Sequence, residues 1–332
     1  MVLPQAPSRL VDGRTIHTGV FRGAIAEPNL PTPGGSWRVK HWQYTSLTTE
    51  SHFVAFAVAQ LGYVANLFAY VVDRSSRRMW QLEALAPLGR GLRMAPSSLS
   101  GRTLWQRRHE RIAIEHRPDG FDLEVDCRIE GRWLRGTARI ALGEGLALVH
   151  PFTEEPVLRK MRVGYTHKDA AMPAELSLAW DETQLPREGL ATLDWTRACS
   201  PRRTSWNWAS LAHPLPGGPR VGLNLSAKAY VDRAGRQLEN ALWLDGRLHV
   251  LGNVSFGLPA RPSKEPWRIH GADVDLRFEP LGAREQHVNL GLAQSDFVQP
   301  FGHFSGWLQP PGGDRLTLER AFGVVEDHDA LW

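Results

Sequence analysis

The chain has 332 residues, 42% of them hydrophobic and 22% charged, with a formal charge of +4. That length fits one large or two ordinary globular units, and the apolar content excludes a disordered chain. Lys and Arg (39) nearly balance Asp and Glu (35), so charge gives no call for a nucleic-acid partner.

Taken in chain order, the N-terminal "MVLPQAPSRLVDGR" lacks the apolar core of a secretion signal, which points to a cytoplasmic protein. Residues 54–73, "VAFAVAQLGYVANLFAYVVD", are nearly long enough to span a bilayer. They carry Gln60, Asn66 and Asp73, with Leu61-Gly62 near the middle, so they read as two adjacent strands, 52–60 and 63–72. Residues 101–142 read as a meander with turns at Asp119-Gly120 and Glu130-Gly131. Within it Phe121, Leu123, Val125 and Cys127 share one face, and Asp122, Glu124, Asp126 and Arg128 the other, as in a half-buried antiparallel strand. "HPFTEEP" interrupts the pattern and suggests two units, 1–155 and 156–332. Beyond it, Leu176, Leu178 and Trp180 share one parity; Asp245-Gly246 marks a hairpin; Val274, Leu276 and Phe278 point inward. No segment keeps helical spacing. About eight strands per half predict an all-β chain with few helices, built as two antiparallel barrels, because closure removes exposed strand edges.

Several blocks also carry a resemblance. "GVFRGAIAEPNL", "LDWTRACSPRRTSWNWASL", "ENALWLDGRLHVLG", "VDLRFEP", "QPFGHFSGWL" and "GVVEDHDALW" run in order along the chain. Together they resemble the largely bacterial family catalogued as domain of unknown function 2804. A looser likeness links that group to lipocalin-like double-barrel proteins that include carotenoid hydratase-like enzymes and pericyclic cyclases. This implies two lipocalin-like, calycin-type barrels packed together, with a ligand in a barrel or between the two. It does not fix an activity.

The residues suggest where chemistry would sit. Alternation places Trp195 and Arg197 on one strand face, and Trp206 and Trp208 on another, around a Cys-Ser-Pro-Arg turn. Such faces line an aromatic cavity in which Arg197 holds an anionic headgroup, or they form a tryptophan core with Arg at the rim. Lys40, Trp42 and Tyr44 form a second cation–aromatic strip. Glu239 shares parity with Trp243 and becomes a general acid if it faces a barrel interior unpaired; facing water, or paired with an Arg, it is ordinary. Asn224 and Asn240 are orienting amides. Glu326 and His328 share a face and suit an acid–base pair or a closing salt bridge, whereas neighbouring Asp327 and Asp329 alternate away, so no metal site is expected. Lys160, His167 and Lys168 form a basic cluster, and Cys199 lies among arginines yet has no assured base nearby. Phosphate-loop, nucleophile-elbow and zinc-helix motifs are absent, and no cofactor is expected. The combined expectation is a barrel protein that binds a hydrophobic, lipid- or terpenoid-like small molecule. The alternative is a cofactor-free hydratase, cyclase or isomerase; single-stranded nucleic-acid binding ranks third.

Overall fold

The structure, a computed structural model, describes residues 3–153, 160–289 and 294–331. Its strands form a 14-stranded sheet, a 9-stranded sheet and a small two-stranded hairpin. The chain divides into two units, Val2–Ser200 and Pro201–Trp332.

In the first unit the main sheet runs from Arg78–Pro87 through Val64–Asp73, His52–Gln60, Lys40–Thr48, Glu188–Ala198 and Val163–Trp180. It continues through Arg132–Ala141, Gly120–Ile129, Glu110–Arg117, Gly101–Arg107 and Leu92–Arg93. The sheet curls into a barrel. Near its closing seam the Gln81 N–H donates to the Glu130 carboxylate at 3.2 Å, and Arg107 donates to the Leu85 carbonyl at 2.8 Å. The interior is filled by alternating side chains such as Val54, Phe56, Ile112, Ile114, Phe121, Leu123, Leu134, Leu176 and Leu178. The apolar stretch read as two adjacent strands is a hairpin, His52–Gln60 against Val64–Asp73, with Gly62 at φ +93° in its turn. No helix of the described residues is long and apolar enough to cross a membrane. Glu130-Gly131 and Asp245-Gly246 both turn with two positive φ angles (47° and 87°; 50° and 82°), matching hairpin twist.

Two expectations need correction. The junction expected at 155/156 lies outside the described residues, but its flanking strands, Leu146–Pro151 and Val163–Trp180, pair with each other. Both therefore belong to one sheet, and the division falls at 200/201. A polar, proline-containing stretch marks any strand connection, not only a domain boundary. The strand count is also uneven rather than about eight per half, because the first sheet takes in the long strands up to Ala198. Val163–Trp180 serves two neighbours in turn. A bulge at Ala171, φ +55°, shifts its register, so its first half pairs with Leu146–Pro151 and its second with Arg132–Ala141.

The second unit orders its strands as Arg247–Val250, Ala241–Leu244, Arg220–Ala227, Arg203–Pro214, Leu316–Leu331, Gln294–Leu308, Val274–Asn289, Trp267–Gly271 and Val254–Gly257. Its ends approach each other, and Gln237 bridges toward Val254 with a 2.9 Å bond to the Val254 carbonyl. Its core includes Leu211, Leu223, Leu225, Leu242, Ile269, Leu276, Phe278 and Phe304.

Candidate functional site

Register in the first barrel assembles a patch of inward side chains from four adjacent strands. Cross-strand partners form three rows: Gln60–His41–Arg197–Tyr165, then Val58–Gln43–Trp195–His167, then Phe56–Thr45–Leu193–Asp169. Directly opposed residues in a sheet share a face, so each row is a line of neighbours. Val58, Phe56, Leu193, Trp195 and Tyr165 belong to the barrel core, which fixes the face as interior. An all-apolar core needs no polar groups here, yet eight of the twelve positions are polar or carry a polar ring atom other than that of Trp195. His41 and Trp195 stack edge to face at 4.5 Å, and Tyr165 meets Trp195 at 5.7 Å.

A hydrogen-bond network backs the patch. The His116 Nδ1 and Nε2 atoms lie 3.1 Å from the Ser98 carbonyl and from the Gln43 side chain. Thr103 Oγ1 is also near the Gln43 amide, at 3.3 Å, and accepts the Ala95 N–H at 3.0 Å. The His167 Nδ1 atom meets Ser98 Oγ at 3.0 Å. The Tyr165 hydroxyl accepts the Ile25 N–H at 2.9 Å. Asp169 accepts two backbone N–H bonds, from Gly143 at 2.7 Å and Ala170 at 2.8 Å.

Burial sets the protonation of these groups. It lowers the His41 pKa to about 3, with Arg197 and His116 adding to the effect. It lowers His116 to about 4 against the pull of the Ser98 carbonyl. It lowers His167 to about 3, helped by His116 and opposed by Asp194. All three rings are neutral at pH 7. Burial raises Asp169 to about 7, only partly offset by its two N–H donors. A carboxyl that titrates near neutrality, one row from the neutral His167 ring, is suited to proton transfer. A neutral His116 can donate from one ring nitrogen only. Its Nδ1–H goes to the Ser98 carbonyl, so its Nε2 needs a donor, which the Gln43 amide supplies when its NH2 end faces the ring. Either amide orientation leaves one end of Gln43 facing the interior.

Several polar atoms of the patch have no partner among the described residues. They are His41 Nε2, one end of the Gln43 amide, Thr45 Oγ1, Gln60 Oε1 and Trp195 Nε1. Leaving a buried polar atom unpaired costs about 1–3 kcal/mol. Most such atoms in a folded protein find partners, so several on one interior patch mark a place built for a polar occupant.

The expected site residues are distributed differently from the sequence reading. Trp195 and Arg197 share a face, as the alternation implied; Trp195 belongs to the barrel core, and Arg197 donates to the Pro28 carbonyl at 3.3 Å. Among the described residues no carboxylate lies within 4.0 Å of its guanidinium. Lys40, Trp42 and Tyr44 oppose Ala198, Thr196 and Asp194, so their strip lies on the other face of the same sheet. Lys40 donates to the Leu61 carbonyl at 2.6 Å. His167 and Lys168 likewise point to opposite faces; Lys168 pairs with Asp194 at 2.6 Å. The Trp195 and Trp206 strands do not pair with each other and belong to different units. Cys199 is buried at the end of the first, and burial raises its thiol pKa against Arg162, Arg38 and Lys40, which argues against a thiolate nucleophile.

In the second unit Glu326 and His328 share a face, as do Trp206 and Trp208, and register puts both pairs on the same face, the one opposite that unit's apolar core. The Glu326 carboxylate accepts the Trp206 indole N–H at 2.5 Å and the Gln299 amide at 2.8 Å. His328 Nε2 meets Ser295 Oγ at 2.9 Å, and its ring packs against Trp206 and Phe297. Burial lowers its pKa to about 3, with Arg284 assisting. Asn224 links the Trp208 indole (2.7 Å) to the Glu239 backbone carbonyl (2.7 Å). Asn240 accepts the Ser226 N–H and donates to the Gly252 carbonyl. These amides brace loops. Glu239 and Trp243 are buried nearby. Among the described residues no three His, Cys, Asp or Glu side chains come together as a metal site.

The interior residues missed by sequence reasoning were on the neglected parity. His41, Gln43 and Thr45 alternate with the Lys40, Trp42 and Tyr44 that drew notice; His116 continues Ile112 and Ile114; Tyr165 and Asp169 share the parity of His167, which the basic cluster had included, along one strand. Gly145 offers a check on this packing. A Cβ there would lie 2.1 Å from His167 Nε2. Gly145→Ala should therefore displace the His167 ring and destabilise the fold by about 1–3 kcal/mol, measured by chemical denaturation.

Neither described cavity contains an expected site residue. The larger, about 840 Å³, is an open trough lined by Arg102, Glu115, Asp122, Glu124, Arg139 and Glu188, among others.

Comparison with known proteins follows the fold. Kievitone hydratase from Nectria haematococca superposes with a TM-score of 0.49 at 10% identity, covering 100% of this chain and 98% of that one. CghA with Sch210972 gives 0.48 at 9% identity, covering 94% and 98%. An AttH-like protein from Nitrosomonas europaea gives 0.48 at 14% identity, covering 91% and 98%. Among curated proteins no relative matches. The sequence profile of domain of unknown function 2804 (DUF2804) matches residues 4–332, and the chain belongs to that family.

Proposed function

We propose that the first barrel binds a mainly apolar small molecule, lipid- or terpenoid-like, through an oxygen function held at the His41–Gln43–Thr45–Trp195 patch. The observation that carries this reading is the set of unpaired interior polar atoms on that patch. They offer both donors and acceptors, as a hydroxyl or carbonyl oxygen requires, and Phe56, Val58 and Leu193 supply apolar surface beside them. Trp195 and Arg197 keep their expected ligand-facing roles.

Native mass spectrometry of gently purified protein tests the reading. A co-purifying small molecule is expected, and Thr45→Val should lower its occupancy severalfold. The same variant should raise stability by about 1 kcal/mol, since it removes a buried hydroxyl that lacks a partner. Absence of a bound molecule, or unchanged occupancy in Thr45→Val, would sink the reading.

A second reading is favoured by Asp169 alone. Its carboxyl, raised to about 7 and one row from Gln43 and Trp195, supports cofactor-free acid–base chemistry of the hydratase or isomerase type. Incubation of the captured molecule in oxygen-18 water would label it if hydration occurs, and Asp169→Asn should abolish that labelling.

A further inference from the structure

One end of the first barrel carries four of the large apolar side chains most exposed in the molecule. Leu88 is 71% exposed, Trp37 60%, Leu85 54% and Tyr63 45%. They come from three segments whose backbones meet at this end. The Trp37 carbonyl lies against Gly62, where a Cβ would come within 2.0 Å of it. The Leu88 N–H donates to the Tyr63 carbonyl at 2.9 Å. Leu85 is tied to Arg107, whose guanidinium bonds its carbonyl at 2.8 Å. Soluble proteins rarely gather exposed apolar side chains this way without a partner.

The backbone pushes one of these residues outward. Leu88 holds φ +56° at the tip of the turn Pro87–Arg90, followed by Gly89 at φ +70°. A leucine in the left-handed region is strained, and an exposed leucine there gains no core packing in return. The turn also caps the barrel end where the Gln60–His41–Arg197 row stands: a Cβ on Gly89 would lie 2.6 Å from the Gln60 amide.

Charge around the patch is mainly positive, with exposed Glu83, two residues before Leu85 on the same strand, as a neighbouring acid. Segments 28–49, 51–72 and 84–109 contain no Asp or Glu. They carry Arg38, which lies over the Trp37 ring at 4.9 Å, together with exposed Arg90, Arg93 and Arg107. Trp and Tyr beside Leu, with arginines outnumbering the one nearby acid, is the composition that favours the interface of an anionic bilayer. We propose that this barrel end docks on an anionic lipid surface, with Trp37, Tyr63, Leu85 and Leu88 entering the headgroup region and the arginines meeting lipid phosphates. Docking there would place the capped end of the candidate ligand site at the source of apolar molecules. The surface argument stands without that ligand reading.

The test is sedimentation of the full chain with vesicles of phosphatidylcholine alone or mixed equally with phosphatidylglycerol. Binding to the mixed vesicles should exceed binding to the neutral ones by at least about tenfold and fall as salt is raised. Arg90→Gln and Arg93→Gln should each weaken it about fivefold. Trp37→Ser should weaken it as well. Leu88→Gly separates docking from folding: glycine relieves the positive φ, so the unfolding temperature should hold or rise while vesicle binding drops. Equal binding to both vesicle types, or wild-type binding by Trp37→Ser and Leu88→Gly, would overturn the proposal. So would protein that stays in the supernatant but self-associates through these same residues.

Discussion

Acidification from pH 7 to pH 4.5 is expected to strip about 4–5 kcal/mol from the first unit and to lower its unfolding temperature by roughly 10–15 °C. The effect comes from His41, His116 and His167. Their folded pKa values lie at about 3 to 4, against an unfolded value of 6.5. Because each folded value is depressed, the unfolded chain takes up protons that the folded barrel refuses. Stability is therefore full above pH 6.5 and is lost as the pH falls toward 3 to 4. Over two pH units each ring contributes about 2.5 kcal/mol of that loss. Asp169 works in the opposite direction. Its folded pKa is raised from 3.8 to about 7, so stability is greatest below 3.8 and declines as pH rises to 7. Acidification returns about 3 kcal/mol through it, less than the three histidines remove. His328, at about 3, adds a separate loss in the second unit. Calorimetry at the two pH values checks the sum. A first-unit transition that stays in place would mean that these histidines are hydrated and protonated in the folded barrel. His41→Phe should remove about a third of the histidine-driven loss, because it deletes one of the three neutral rings.

The same interior shows what could be read from the sequence. Strand faces were legible wherever alternation was sharp. Phe121, Leu123, Val125 and Cys127 are all buried, and so are Val274, Leu276 and Phe278. Turns were legible where their chemistry is local, as at Glu130-Gly131 and Asp245-Gly246. The division of the chain was not, because it depends on which strands pair across long separations. Glu188–Ala198 inserts between Lys40–Thr48 and Val163–Trp180, a pairing that no local signal announces. The candidate site was half legible. Alternation put Trp195 and Arg197 on one face, and only register shows that this face is the interior. The strip on Lys40–Thr48 was assigned to the eye-catching cation and rings, although His41, Gln43 and Thr45 hold the inward parity. Period-two alternation states that two faces exist; only register states which one joins the core. Tryptophan and lysine drew attention to a face that is also buried, and burial on both faces erases the usual polar-out signal.

Trp195→Ala is expected to destabilise the first unit by about 3–5 kcal/mol, whereas Trp195→Phe should change stability by less than about 1.5 kcal/mol. The indole is fully buried between His41 and Tyr165, so alanine removes most of a ring from close packing and leaves a cavity. Phenylalanine keeps aromatic contact with both neighbours. It also deletes the Nε1–H, which has no partner among the described residues, so no hydrogen bond is lost within the protein. If the indole N–H serves only packing, Trp195→Phe should leave ligand capture unchanged. If it donates to the oxygen of a bound molecule, capture should fall by about tenfold while the unfolding temperature barely moves, since a hydrogen bond to ligand is worth about 0.5–1.5 kcal/mol and a desolvated one more. Denaturation and native mass spectrometry on the two variants separate these outcomes. Equal destabilisation by phenylalanine and alanine would contradict the geometry, because it would require the N–H itself to hold the barrel together.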